Sequence, residues 1–162
     1  MKSSFIQLRP DFDVRDDTRT YDLRELDTVD LVISRWDGMQ AVGHTLLTFG
    51  FRDGRDLTLP AETRREEGEP QTGLRGIFNQ YELIYILADE RDLLRLRTQY
   101  RGEEVSLYPT TSTPEAARRL FVDILERINE LHENPVFYNI STENCTSALY
   151  PHGRKIRSVT RS

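Results

Sequence analysis

The run Ala41-Val42-Gly43-His44-Thr45-Leu46-Leu47-Thr48-Phe49-Gly50-Phe51 decides how this chain folds. It carries too many apolar residues in succession for a strand wetted on one face, so it reads as a central strand. Asp53-Gly54 follows at once and is a hairpin signal. Leu57-Thr58-Leu59 through Thr63 is then the returning strand. His44 falls near the beginning of a buried strand, and Glu62 falls on its partner. Paired through that turn, the start of one strand meets the end of the other, which brings Glu62 within reach of His44.

Working outward, Leu31-Val32-Ile33 is a β-branched run bounded by Asp30 and the turn-like Asp37-Gly38, and it gives the preceding strand. Trp36, the single tryptophan, reads as a packing residue. Tyr81-Glu82-Leu83-Ile84-Tyr85-Ile86-Leu87 is a further strand signal, again central. Glu90 to Arg97 begins a short helix or turn, and Glu103 to Leu107 forms another strand, ending at Tyr108-Pro109. The clearest helix is Pro114 to His132. Thr113 suits its N-cap, Pro114 its first position and Glu115 its first turn. Ala117, Leu120, Phe121, Ile124, Leu125, Ile128 and Leu131 make one apolar stripe at three- and four-residue spacing. Asn134-Pro135 ends it. Residues 1 to 20 and the charged run Glu66-Glu67-Gly68-Glu69-Pro70 read as surface. From Pro151 the chain turns basic and loses apolar periodicity, which reads as a frayed tail or a truncated continuation.

These elements describe one α+β domain over 1–162, with a core at about 11–150 and a basic tail at 151–162. A central antiparallel sheet packs against a long amphipathic helix. The chain is 37% hydrophobic and 30% charged, and its mean hydropathy is -0.60, the balance of a soluble globular domain. A formal net charge of -5 argues against a nucleic-acid binder driven by overall charge. No apolar run approaches the ~18 residues of a membrane span, and Met1 to Ile6 lacks the hydrophobic run of a secretory signal. Three scattered histidines and one cysteine give no metal-ligand spacing, so neither metal nor other cofactor is expected. The sequence says nothing of oligomeric state.

Chemistry concentrates in Phe137-Tyr138-Asn139-Ile140-Ser141-Thr142-Glu143-Asn144-Cys145-Thr146-Ser147, which holds the only cysteine. Polar residues crowd that cysteine, where a structural thiol would have apolar neighbours. Ser141 and Thr142 are good N-caps, which puts Cys145 in the first turn of a helix. A thiol there faces unpaired backbone N–H groups and the positive end of the dipole, and both favour the thiolate. A lone cysteine is otherwise a small core residue. Thiol catalysis also needs an imidazole and a group to orient it. His132 ends the long helix as a surface residue, and His152 lies exposed in the tail. His44, on a buried strand, is the base. Glu62 is the most economical orienting group. Asn139 and Asn144 are alternatives that could instead supply oxyanion donors, with Tyr138 in support, or simply cap the helix start. Arg95, Arg97 and Arg101 alternate beside a strand. They could hold a phosphate or carboxylate head group, or pair with surface acids.

Seven motifs appear in order: Thr18-Arg19-Thr20-Tyr21-Asp22-Leu23; Gly43 to Phe51; Glu62-Thr63-Arg64-Arg65-Glu66; Gln80 to Tyr85; Asp89-Glu90-Arg91-Asp92; Leu96-Arg97-Thr98 with Tyr100-Arg101-Gly102-Glu103; and Phe137-Tyr138-Asn139 with Asn144-Cys145-Thr146. Together, over roughly Asp11 to Leu149, they resemble the Lnb N-terminal periplasmic domain family. The resemblance implies a circularly permuted papain-like (NlpC/P60-type) fold in which the histidine strand precedes the nucleophile helix. It implies thiol-dependent acyl transfer in lipoprotein N-acylation, with Cys145 as nucleophile and His44 as base. It also implies a lipid or lipoprotein substrate, a membrane surface as a further partner, and a periplasmic or cell-envelope location. The alternatives are a cysteine amidase or peptidase of the same fold, and a non-catalytic binding module with a vestigial site.

Overall fold

The computed structural model describes residues 19–35, 43–64, 81–138 and 145–159. A single 3-10 turn, Leu23–Glu25, leads into β1 (Leu26–Arg35), β2 (Gly43–Phe51) and β3 (Asp56–Arg64). Then come β4 (Tyr81–Tyr85), β5 (Ala88–Asp89), α1 (Glu90–Arg95), a widened π-type turn at Leu96–Tyr100, and β6 (Glu104–Pro109). The chain closes with α2 (Pro114–Glu133), β7 (Phe137–Tyr138) and α3 (Cys145–Val159). The sheet runs β6-β1-β2-β3-β4-β7, with β5 attached to β3, and every pairing is antiparallel. The protein is therefore α+β, with an antiparallel sheet and three helices among the described residues.

The β2–β3 hairpin forms as its turn residues require. Gly54 takes φ +82°, a conformation that costs glycine little. The Gly54 N–H donates to the Phe51 carbonyl and the Phe51 N–H to the Arg55 carbonyl, both at 2.9 Å. β2 is central, with β1 on one side and β3 on the other. β4 is less so. It lies between β3 and the two-residue β7, which pairs with Tyr81 and Glu82, and the Leu83 N–H donates to the Val136 carbonyl at 2.8 Å. At Gly50 the side chain of Thr28 on β1 comes close against β2. A Cβ there would stand 2.5 Å from Thr28 Oγ1, beside the register shift between Leu26 and Thr28.

Strand alternation splits the sheet into two faces. On one, the α2 stripe packs Ala117, Leu120, Phe121 and Ile124 against Val29, Phe49, Phe51, Leu57 and Leu59. Phe121 stands edge-on to Phe49, centroids 5.0 Å apart. Leu131, at the far end of the stripe, joins Ala61, Leu83, Cys145 and Ala148. On the other face, Val32 and Leu46 pack under Leu93 of α1. Thr48 and Thr58 lie buried there, with Thr58 donating to Thr48 at 3.1 Å and Thr48 donating to Glu90.

Two sequence expectations change. The segment after Pro151 is helical, continuing α3 through Val159 with Pro151 inside it. His152 is buried rather than exposed, and its Nδ1 is hydrogen-bonded to Asp123 Oδ2 of α2. That contact gives the basic segment a packed anchor which apolar periodicity alone does not reveal. Residues 1–18, Trp36, the Asp37-Gly38 turn and the Glu66–Pro70 run lie outside the described residues.

Candidate active site

The β2–β3 register decides the geometry. Leu46 pairs with Pro60, Leu47 with Leu59 and Thr48 with Thr58. Continued by two residues, the same register sets His44 opposite Glu62 on one face. His44 Nε2 lies 3.0 Å from Glu62 Oε1. The contact is an ion-pair approach rather than an aligned hydrogen bond, since Nε2 has no partner in hydrogen-bonding geometry. Ser34, cross-strand from His44 on β1, lies on the same face. β2 also serves the opposite face. There Thr45 Oγ1 meets Thr146 Oγ1 at 3.0 Å.

Cys145 is the first residue of α3 and is buried. Cys145 and the His44 imidazole are close enough that each shifts the other's protonation. α3 is held in place by His152 on Asp123 and by Tyr85 of β4, whose hydroxyl donates to the Ala148 carbonyl at 3.1 Å. The start of α3, the start of β2 and the end of β3 thus meet around His44.

The electrostatics favour a charged pair. Burial pushes the Cys145 thiol up. The His44 hydrogen bond and charge, the Thr45 N–H and the Thr146 hydroxyl outweigh that and hold the thiol below its ordinary value. For His44, burial disfavours the cation, and so does the charge of Arg97. Its contacts with Cys145 and Glu62 prevail and carry the imidazole up to about 9. Burial likewise pushes Glu62 up, but His44, Arg97 and Arg101 reverse this and keep its carboxyl below the usual range. All three shifts run toward the charged forms: thiolate, imidazolium and carboxylate.

The remaining sequence-predicted residues separate. Arg97 is inside the protein, 2% exposed. It donates to Glu62 Oε1 at 2.7 Å and to Glu103 Oε2 at 2.9 Å, so its Nη groups are taken up internally. The head-group expectation is left with half-buried Arg95 and exposed Arg101. Tyr138 is in β7, paired with Tyr81. Asn139 and Asn144 lie outside the described residues. Sequence reasoning missed Glu103 and Ser34, the latter donating its hydroxyl to Glu103. The available signal was Glu103 directly after the arginine-rich Leu96–Gly102 segment, an acid placed to neutralise a cation.

The profile of the Lnb N-terminal periplasmic domain family matches residues 13–161. This chain belongs to that family. The match takes in the segment after Tyr150, beyond the Asp11 to Leu149 span of the motifs. Neither the curated proteins nor the solved structures give a match. In this Lnb-family domain no helix among the described residues is long and apolar enough to cross a membrane. Nor does any group of three or more His, Cys, Asp or Glu side chains among them stand ready to hold a metal. The Lnb-family domain also has a cleft between β4 and the end of α2, lined in part by Leu83, Tyr85, Ile128 and Leu131. Leu83 and Leu131 pack against Cys145 as well.

Proposed function

We propose that this domain is a thiol acyltransferase of the bacterial cell envelope, built on a circularly permuted papain-like (NlpC/P60-type) arrangement. The observation that carries this reading is Cys145 at the start of α3, electrostatically coupled to a His44 that itself lies 3.0 Å from Glu62. Cys145 is the nucleophile, His44 the general acid and base, and Glu62 orients the imidazole and stabilises its charged form.

The Cys145 thiolate attacks the carbonyl carbon of an acyl ester, such as that of a phospholipid. The tetrahedral intermediate collapses to a thioester on Cys145 as His44 gives its proton to the departing alcohol. An amine, in this reading the N-terminal cysteine of a lipoprotein, then attacks the thioester. His44 takes the amine's proton and the Cys145 thiolate leaves. Transfer rather than hydrolysis needs water kept from the thioester. Leu83 and Leu131, between the sulfur and the apolar part of the cleft, give an acyl chain a dry wall to lie on.

The test is to incubate the domain with a phospholipid, with and without a peptide bearing an N-terminal cysteine, and to identify products by mass spectrometry. Acylated peptide that disappears in Cys145→Ala supports the transferase. Free fatty acid regardless of acceptor identifies a hydrolase. Ligand binding unaffected by Cys145→Ala, with no product in either arm, identifies a binding module with a vestigial site.

A further inference from the structure

We propose that Arg97 is a positioning residue of this site, holding Glu62 as a fixed, charged partner for His44. The inference rests on the Cys145–His44–Glu62 reading above and adds a residue to it. Arg97 Nη2 and His44 Nε2 both approach Oε1 of Glu62, at 2.7 and 3.0 Å. Arg97 makes the aligned hydrogen bond to that oxygen, whereas the histidine contact is off-axis. The orientation of the carboxylate is therefore set by the guanidinium, and the imidazole meets an oxygen already fixed in place.

The local fold is built to deliver that guanidinium. The turn at Leu96–Tyr100 is widened, with the Arg101 N–H reaching back five residues to the Leu96 carbonyl at 3.1 Å, a π-type insertion of the kind that re-aims side chains at functional sites. Gly102, at φ +64°, reverses the chain so that the Glu103 N–H bonds the Arg97 carbonyl at 2.9 Å. Glu103 thereby stands beside Arg97 and neutralises it, and Ser34 steadies Glu103 from β1. The side chains of Arg97 and Glu103 are 2% and 1% exposed. A buried ion pair seldom justifies itself by stability, because desolvation offsets much of the attraction. What this pair accomplishes is a net-neutral clamp: Glu103 offsets the charge of Arg97, which would otherwise oppose His44⁺, and leaves its second hydrogen bond for Glu62.

Two effects of Arg97 on the site have opposite signs, and that makes the idea testable. Acting only as a nearby cation, Arg97 disfavours imidazolium, and its removal would make the thiol more acidic. Acting through Glu62, it favours imidazolium, and its removal makes the thiol less acidic. The Arg97→Gln/Glu103→Gln double variant removes a net-neutral pair and so isolates the second effect. Rates of iodoacetamide alkylation of Cys145 are measured against pH in the parent, the double variant, Glu62→Gln and the triple variant, with circular dichroism reporting the fold.

The expected result is an apparent thiol pKa that rises by a unit or so in the double variant, about tenfold slower alkylation near pH 6. Glu62→Gln gives the same change, and the triple variant adds nothing to it. A folded double variant whose profile is unmoved, or moved to lower pH, overturns the proposal, as does a further shift in the triple variant. Should the double variant unfold, Arg97→Lys decides: its single ammonium keeps the charge but cannot grip both carboxylates in a fork. A rise in thiol pKa supports positioning there, and an unchanged profile refutes it. A parent thiol that titrates ordinarily and ignores Glu62→Gln would sink the triad itself, which is a different outcome from loss of the Arg97 effect alone.

Discussion

His44 and Glu62 face each other across β2 and β3, Nε2 to Oε1 at 3.0 Å, at the positions where the Leu46–Pro60 and Thr48–Thr58 register would continue. The pairing is a consequence of hairpin geometry. A two-residue step preserves the face, and Asp53-Gly54 sets the register that makes these two residues partners. Glu62→Gln keeps the shape and removes the charge, so His44 loses its anionic neighbour and becomes less basic. Alkylation of Cys145 near pH 6 should slow by about tenfold or more, with the circular dichroism spectrum retained. Equal rates in the two proteins would remove Glu62 from the site.

The active pair in this chemistry is thiolate with imidazolium, and each group sets one limb of the pH profile. The Cys145 thiol is held below its ordinary value, so turnover rises with pH through that lowered pKa. His44 loses its proton only at about 9, so turnover falls as pH passes that value. Acyl transfer measured from pH 5 to pH 10 should give a bell whose alkaline limb lies near 9. A profile that keeps rising beyond that point would mean that the imidazolium is not required.

Glu103 predicts a stability effect of definite sign. Burial raises its pKa, but the Ser34 hydroxyl and the Arg97 guanidinium lower it more, and it ends below the ordinary range. Glu62 is lowered too. As pH falls below the ordinary carboxylate value of about 4.3, the unfolded chain takes up protons that the folded one refuses, so stability drops. Urea unfolding should show the parent losing stability between about pH 5 and pH 3, and Glu103→Gln losing less over the same window. Parallel loss in both would show that Glu103 does not carry this effect.

Most of the fold was legible in the sequence because it is written in local patterns. The apolar run at Gly43–Phe51, the Asp53-Gly54 turn and the α2 stripe each state their periodicity within a few residues. The approach of His44 to Glu62 was legible for a different reason: one histidine on an apolar strand and a short hairpin leave few ways to combine. Arg97 was not legible as a buried residue. Alternating arginines look the same whether they face solvent or a carboxylate, and only the Leu96–Tyr100 turn with Gly102 turns one inward. His152 was hidden in the same way, since its burial depends on Asp123 of another helix and no periodicity records that contact.

The core should respond as its packing dictates. Phe121 is 4% exposed, edge-on to Phe49 at 5.0 Å and to Phe51 at 6.4 Å. Phe121→Ala removes a ring at the centre of the α2–sheet contact and should cost about 3–5 kcal/mol in chemical denaturation. A loss under about 1 kcal/mol would mean that α2 does not seat on the sheet through this residue.

The most direct measurement is the pH dependence of Cys145 alkylation in the parent and in His44→Ala. A Cys–His pair predicts rapid reaction with an apparent pKa well below ~8.5, and a return to about that value, with slower reaction near pH 6, once the imidazole is gone. Slow alkylation with an ordinary pKa in both proteins would contradict it and leave Cys145 a buried structural thiol.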